Sequence, residues 1–221
     1  METLNQSDEI KNIWKIKATN SNSIIELRAI KKQAGMPDAI IKLFKGGDYK
    51  SADEMRLAFE QEALRLNAQG YNIYVVMNPI NDSFAGSSAG DKDIQYRDLL
   101  LIDIDRHNTT NPATEEELEA AKLLTDKVMD YLKEGGWEDP IKVMSGNGYH
   151  LYYILDNVAN SESNRDAIKD FLKDLASAFD TDVVKIDTSV FNASRITKVV
   201  GTIAYKGEQS SDRPYRMARC V

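Results

Sequence analysis

Apolar and polar positions change period several times along the chain, and each change marks an element. Residues about 6–18 repeat at helical spacing and stop near Thr19-Asn20. From Ser23 to Ile30 the pattern alternates, as a half-buried strand does. Ile40 to Phe44 predicts a second strand, closed by Gly46-Gly47. Ser51 followed by Glu54 is a capping box, and Met55, Phe59, Ala63 and Leu66 make one stripe of the helix it opens, up to Gly70. Tyr71 to Met77 reads as a buried strand ended by Asn78-Pro79. A polar, small-residue loop, Asn81 to Asp93, comes next; loops of this length are often functional or mobile, and this one precedes the next strand closely enough to close over it.

That next strand, Leu99 to Arg106, is an apolar run that abruptly contains two acids, Asp103 and Asp105. Thr114 with Glu117 is a second capping box. Its helix carries Leu118, Ala121, Leu124, Val128 and Leu132 inward and ends at Gly135-Gly136. Ile141–Met144 and Tyr149–Leu155 predict the two arms of a hairpin around Ser145-Gly146-Asn147-Gly148, with Asn-Gly as a type I′ turn. Asn160 to Phe179 predicts a helix with Ile168, Phe171, Leu172, Leu175 and Phe179 inward. Val183 to Ile186 is a strand ending at Asp187, and short strands and basic loops follow from Arg195 on. From Tyr71 the order is strand, strand, helix, hairpin, helix, strand. Two helices on one face of a mainly antiparallel sheet is α+β, of the RRM (ferredoxin-like) type. Residues about 1–70 predict an N-terminal α/β lobe. No linker separates it from residues about 71–221, so the expectation is a single domain spanning 1–221, with two lobes sharing one cleft.

Composition narrows the chemistry. The 221 residues, 42% of them hydrophobic, suffice for one large domain. No apolar run is long enough to span a membrane, and an N-terminus with Glu2, Asp8 and Glu9 lacks the basic start and apolar core of a signal peptide. One cysteine, Cys220, leaves no internal disulfide or Cys-based zinc cluster and fits a reducing, cytoplasmic setting. Two histidines exclude a multi-His metal site, so hard oxygen ligands and Mg²⁺ or Mn²⁺ are the natural pairing. The net charge is −7. From Val183 onward, however, seven basic residues (Lys185, Arg195, Lys198, Lys206, Arg213, Arg216, Arg219) face three acids, giving +4 and leaving −11 elsewhere. That asymmetry suggests a polyanion meeting the C-terminal part.

The candidate chemistry starts from Asp103 and Asp105. Alternation along a strand points both to one face, roughly 7 Å apart. Paired buried carboxylates repel and are costly to desolvate; a divalent cation between them removes both costs. Asp187 ends another strand, and acids at the ends of neighbouring strands can reach a common cation. Three carboxylates are what a two-metal site for in-line phosphoryl transfer needs. In Ser145-Gly146-Asn147-Gly148-Tyr149-His150, glycines let backbone N–H groups approach a phosphate, and the Ser145 hydroxyl and His150 add donors. A plain turn explains the same glycines. Arg195 and Lys198 are positioned to reach a triphosphate or a template backbone; a solvated basic edge strand explains them equally well.

Taken in order, these pieces resemble the catalytic domain of the archaeo-eukaryotic primase (AEP) superfamily, in the primase-polymerase branch of plasmid, phage and integrative-element replication proteins. Leu101-Ile102-Asp103-Ile104-Asp105 matches its Asp-x-Asp motif. Ser145 to Tyr153 matches its small-x-His motif, and Lys185-Ile186-Asp187 its third. Asn192 to Thr202 is similar to the Arg-bearing strand ending in Gly-Thr, and Arg213-Pro214-Tyr215-Arg216 to the basic tail. Glu26-Leu27-Arg28 and Tyr74 to Pro79 look like the N-terminal lobe. The resemblance implies that Asp103, Asp105 and Asp187 bind Mg²⁺ or Mn²⁺. It implies that Ser145, Gly146, Gly148, His150, Arg195 and Lys198 hold the phosphates of an incoming NTP or dNTP, with His150 among the catalytic residues. It further implies single-stranded DNA template and primer as partners, a helicase as a fused domain or separate subunit, and a monomeric catalytic domain. Many relatives have Pro where Val200 stands here, and no zinc element is present.

Two rival classes remain. A non-catalytic RRM-like module would grip single-stranded nucleic acid through Tyr149, Tyr152 and Tyr153. A nickase would need paired histidines and a nucleophilic Tyr, and only His150 lies in a motif. A calcium loop from Asp103 fails at Asn108 and Thr114, where Gly and Glu are required.

Overall fold

A computed structural model describes residues 6–14, 22–31, 38–107 and 110–221. Its elements are α1 (Gln6–Trp14), β1 (Ile24–Lys31), β2 (Asp38–Lys45), α2 (Ala52–Ala68), β3 (Asn72–Val76), β4 (Tyr96–Arg106), α3 (Glu115–Glu134), β5 (Ile141–Met144), β6 (Tyr149–Ala159), α4 (Glu162–Phe179), β7 (Val184–Ile186), β8 (Ile196–Lys198) and β9 (Arg219–Cys220). The expected end of the first helix, near Thr19-Asn20, lies outside the described residues. No described helix is long and apolar enough to cross a membrane.

Two antiparallel sheets form, in the orders β2-β1-β3-β8 and β7-β4-β6-β5-β9. The α+β class and the two-sheet plan follow the sequence pattern, but the sheets do not divide at residue 70. β3 bonds to β1, and β8, more than a hundred residues later, completes the same sheet. Local periodicity identifies a strand but not the edge it joins, because that choice is made by long-range hydrogen bonds.

Each sheet buries one face under its own helices. Ile25, Leu27, Ala29, Ile73 and Val75 pack with Ile10, Trp14, Phe59 and Leu66 from α1 and α2. Ile102, Ile104, Leu151, Tyr153, Val184 and Ile186 pack with Ala121, Val128, Leu132, Leu172 and Leu175 from α3 and α4. The period-2 alternation therefore leaves Asp103 and Asp105 on the uncovered face of the second sheet.

The caps are local and read as the spacing predicts. Thr114 accepts from Glu117 N–H while Glu117 returns to Thr114 N–H. At α2, Ser51 accepts from Glu54 N–H, but the Glu54 carboxylate reaches back one residue further, to Lys50 N–H at 2.8 Å. The loop 81–93 is tied down at several points. Buried Glu26 accepts from Ala89 N–H at 2.6 Å, Arg28 donates to Ala89 O, and Asp91 accepts from both the N–H and the hydroxyl of Ser194 at 2.7 Å. It contributes nothing to the lining of the cleft described next, so the expected closure over the acidic strand is not the arrangement found.

Candidate active site

β4 is the central support. It runs between β7 and β6, and Asp103 lies directly opposite His150 on β6. On its other side the Asp187 N–H donates to the Asp103 carbonyl at 2.8 Å. Register thus puts Asp187, Asp103 and His150 in one row across three strands, with Asp105 two residues further along the same face. The His150 Nε2 stands 3.5 Å from Asp103 Oδ1. Burial pushes the Asp103 carboxyl up from its ordinary range. His150 and Lys206 pull it back, while Asp105 and Asp187 push the same way as burial. The repulsion expected from the sequence is therefore present.

A cleft of roughly 390 Å³ opens over this row. Asp103, Asp105, Ser145 and His150 line it from the second sheet and its hairpin, and Arg195 and Lys198 from the first sheet's edge. Asp187, Gly146 and Gly148 adjoin it without lining it. The two glycines have a packing reason. Gly148 lies so close to β4 that a Cβ would stand 2.2 Å from the Ile104 carbonyl oxygen and 3.1 Å from Asp105 Cα. Gly146 sits at φ +105°, a region favourable to glycine alone, and donates its N–H to Met144 Sδ. The expected type I′ turn is not formed, since Asn147 does not take the positive φ that such a turn requires. Asn147 instead turns its amide oxygen to Ala113 N–H at 2.9 Å, fastening the hairpin to the start of α3.

On the basic side, Lys198 is buried, with Nζ donating to the Ile203 carbonyl at 2.9 Å and standing over the Tyr74 ring. Burial lowers its pKa to about 7. The Arg195 guanidinium donates to the Ser189 carbonyl at 2.6 Å and leaves its buried Nε without a partner.

The cleft also contains residues that the motif reading passed over. Lys206 Nζ donates to Asp105 Oδ2 at 3.0 Å, opposite the contact from Arg106 to Asp105 Oδ1 at 3.2 Å. Tyr205 is pinned by a reciprocal pair of hydrogen bonds to the Asn72 amide. Burial, then the nearby Asp103, raise the pKa of Tyr74. The available signal for Lys206 was a lysine shortly after Gly201-Thr202 in a basic segment; its partner is 101 positions away. The basic tail, by contrast, is largely consumed internally. Arg213 forks onto Glu117 at 2.9 and 3.0 Å, and Arg216 reaches Glu115. Much of the charge asymmetry is therefore an internal match with the acidic first turn of α3.

Among the described residues, no set of three His, Cys, Asp or Glu side chains stands ready-made around one point. The donor set of Asp103 and Asp105, hard carboxylate oxygens on one face with a third acid beside them, nonetheless suits a hard divalent cation.

The chain superposes on the AEP domain of the cyanophage S-2L primase-polymerase with a TM-score of 0.54 at 14% identity, over 97% of this chain and 88% of that one. It has the fold of an AEP catalytic domain. The polymerase domain of Mycobacterium tuberculosis ligase D, solved in complex with DNA, aligns at a TM-score of 0.47 and 15% identity, over 96% of this chain and 80% of that one. No protein-family model and no curated protein matches the sequence. The AEP fold is thus seen through backbone geometry at an identity where sequence comparison alone is silent.

Proposed function

We propose that this protein is a template-directed nucleotidyltransferase, a DNA primase-polymerase that joins nucleoside triphosphates on single-stranded DNA. The observation that carries the reading is one cleft, in an AEP fold, that gathers Asp103 and Asp105 on one wall and Arg195 and Lys198 on the other. Asp103, Asp105 and Asp187 would hold Mg²⁺ or Mn²⁺. When bound, the ions lower the pKa of the attacking 3′-hydroxyl and neutralise charge on the phosphates. Arg195, Lys198 and Lys206 place positive charge where a triphosphate would lie, and Ser145 and His150 offer further polar contacts from the hairpin side. In-line phosphoryl transfer needs little beyond such positioning and charge.

The binding-module reading loses its main support. Tyr149, Tyr152 and Tyr153 are all buried among the core residues of the second sheet. They offer no stacking platform to bases.

The test is primer extension and primer-free synthesis on single-stranded DNA with Mg²⁺ or Mn²⁺, supplying ribonucleotides or deoxynucleotides. Synthesis that requires the divalent ion is expected. Nucleic-acid binding indifferent to EDTA and to nucleotides, with no synthesis, would overturn the reading.

A further inference from the structure

Loop 81–93 lines no part of the cleft, yet it and its flanks all reach one other segment. That segment, residues 187–195, links β7 to β8. It begins at the third acid, Asp187, and ends at the cleft-lining Arg195. Buried Asn78 donates to the Ala193 carbonyl at 2.9 Å, while its amide oxygen accepts from the N–H groups of Asp98 and Leu99. Buried Arg97 donates to the Phe191 carbonyl at 2.9 Å. Asp91 Oδ1 takes both the N–H and the hydroxyl of Ser194, each at 2.7 Å. The Met77 N–H donates to the Arg195 carbonyl at 2.8 Å. Residues 191, 193, 194 and 195 are thus each held by a residue from the stretch 77–97.

The segment is also closed on itself. Asp187 Oδ1 accepts from the Ser189 N–H at 2.8 Å, and the Ser189 carbonyl accepts from the Arg195 guanidinium at 2.6 Å. Backbone groups outside a ladder must find partners elsewhere, and here the partners fix both ends of the segment against the rest of the site. Ser194 immediately precedes Arg195, so its two bonds to Asp91 hold the peptide from which the arginine projects. Burial pushes the Asp91 carboxyl up, but the Ser194 bonds, with the charge of Arg97 behind them, outweigh it and leave the pKa below its ordinary range. The group therefore accepts as a carboxylate, the stronger kind of acceptor. A long side chain that is already aimed loses less freedom when its ligand arrives.

We propose that Asp91, acting through Ser194, is a positioning residue that aims Arg195 at the triphosphate, so that loop 81–93 serves as a brace behind the basic wall. The proposal rests on the nucleotidyltransferase reading and deepens it, since the ligand Arg195 serves there is the phosphate chain of an incoming nucleotide. Asp91 itself touches no nucleotide. Its effect passes through one peptide to one guanidinium.

The test is calorimetric binding of dATP in excess Mg²⁺, with no template or primer present. Arg195→Ala should weaken binding about tenfold, as loss of a charged contact does. Asp91→Ala should weaken it about three- to fivefold, and Ser194→Ala, which keeps the N–H bond, about two- to threefold. Asp91→Asn retains an accepting oxygen and should restore most of the loss. In the Arg195→Ala background, Asp91→Ala should add no further loss, because a residue that acts through a missing side chain has nothing left to aim. A merely structural role would subtract the same factor in both backgrounds. Equal losses in the two backgrounds therefore overturn the proposal, as does binding unchanged in both Asp91→Ala and Ser194→Ala. If Asp91→Ala fails to fold, Ser194→Ala in the two backgrounds still decides. Native protein that binds no dATP overturns the nucleotidyltransferase reading and the proposal with it. Native binding with indifferent variants overturns the positioning role alone.

Discussion

The two sheets that meet at the cleft are built alike and charged oppositely. Each buries one face under a pair of helices and turns the other toward the cleft. The β4-centred sheet presents Asp103, Asp105 and His150, while the edge of the β1-centred sheet presents Lys198 with Arg195 just before it. The wall of acids is frustrated first by burial and then by its own repulsion, both of which raise the Asp103 pKa. The wall of cations is frustrated by burial, which lowers that of Lys198 to about 7. Neither charge set is placed where it is most stable alone. Both would become favourable with a cation and a polyphosphate between them, the pattern expected where stability is given up for function.

The acid wall is where the contrast breaks most heavily. Replacing Asp103 and Asp105 together by Ala should abolish synthesis by at least about 10³-fold, with the circular dichroism spectrum retained. Activity that survives would mean this wall does no chemistry.

Gly148→Ala tests whether the hairpin must lie against β4. The added Cβ meets backbone atoms that cannot turn away. A loss of about 1–3 kcal/mol in unfolding free energy, read from denaturant titrations, is expected, with activity falling in parallel.

Lys198→Met tests the other wall. The nucleotide KM should rise about tenfold or more, yet the free protein should become more stable near neutral pH. The sign follows from the lowered pKa. From about 7 up to the ordinary lysine value the unfolded chain holds a proton that the folded one lacks, so stability climbs with pH across that window. In the variant that part of the slope should vanish, as read from melting temperatures at pH 7 and 9.

Lys206→Met should have a smaller and two-sided effect. It frees Asp105 Oδ2 from its present partner, so Mn²⁺ should bind the nucleotide-free protein a few-fold more tightly, as measured by calorimetry. Smallest of all, Arg213→Ala and Arg216→Ala should leave the melting temperature almost unchanged, as solvent-screened surface pairs do. They should leave the salt dependence of DNA binding almost unaltered, because both guanidinium groups already hold glutamates of α3.

Much of this was legible along the chain, and the pieces that were have a common cause. Strand alternation put Asp103 and Asp105 on one face and Ile102 and Ile104 on the other; the capping box at Thr114 and the helical stripes behaved as their spacing required. Such features depend on neighbours within one turn or one strand. The type I′ turn failed because Asn147 found a better partner in Ala113 N–H, far off in sequence. Of the glycines beside it, Gly148 is set by the approach of β4 and Gly146 by the approach of Ala204 and the Arg216 carbonyl. The basic tail looked free only because its partners on α3 are about a hundred residues away.

The amino-acid sequence by itself determined the α+β class, the identity of the two walls' charged residues and the face on which the paired acids stand, because short-range periodicity is enough to settle these. Only the tertiary structure decided that β3 and β8 join the first sheet, that Lys206 meets Asp105, and that Arg213 and Arg216 meet the first turn of α3. Those are choices among distant partners, made by strand pairing and by the need of each buried polar group to find a hydrogen bond.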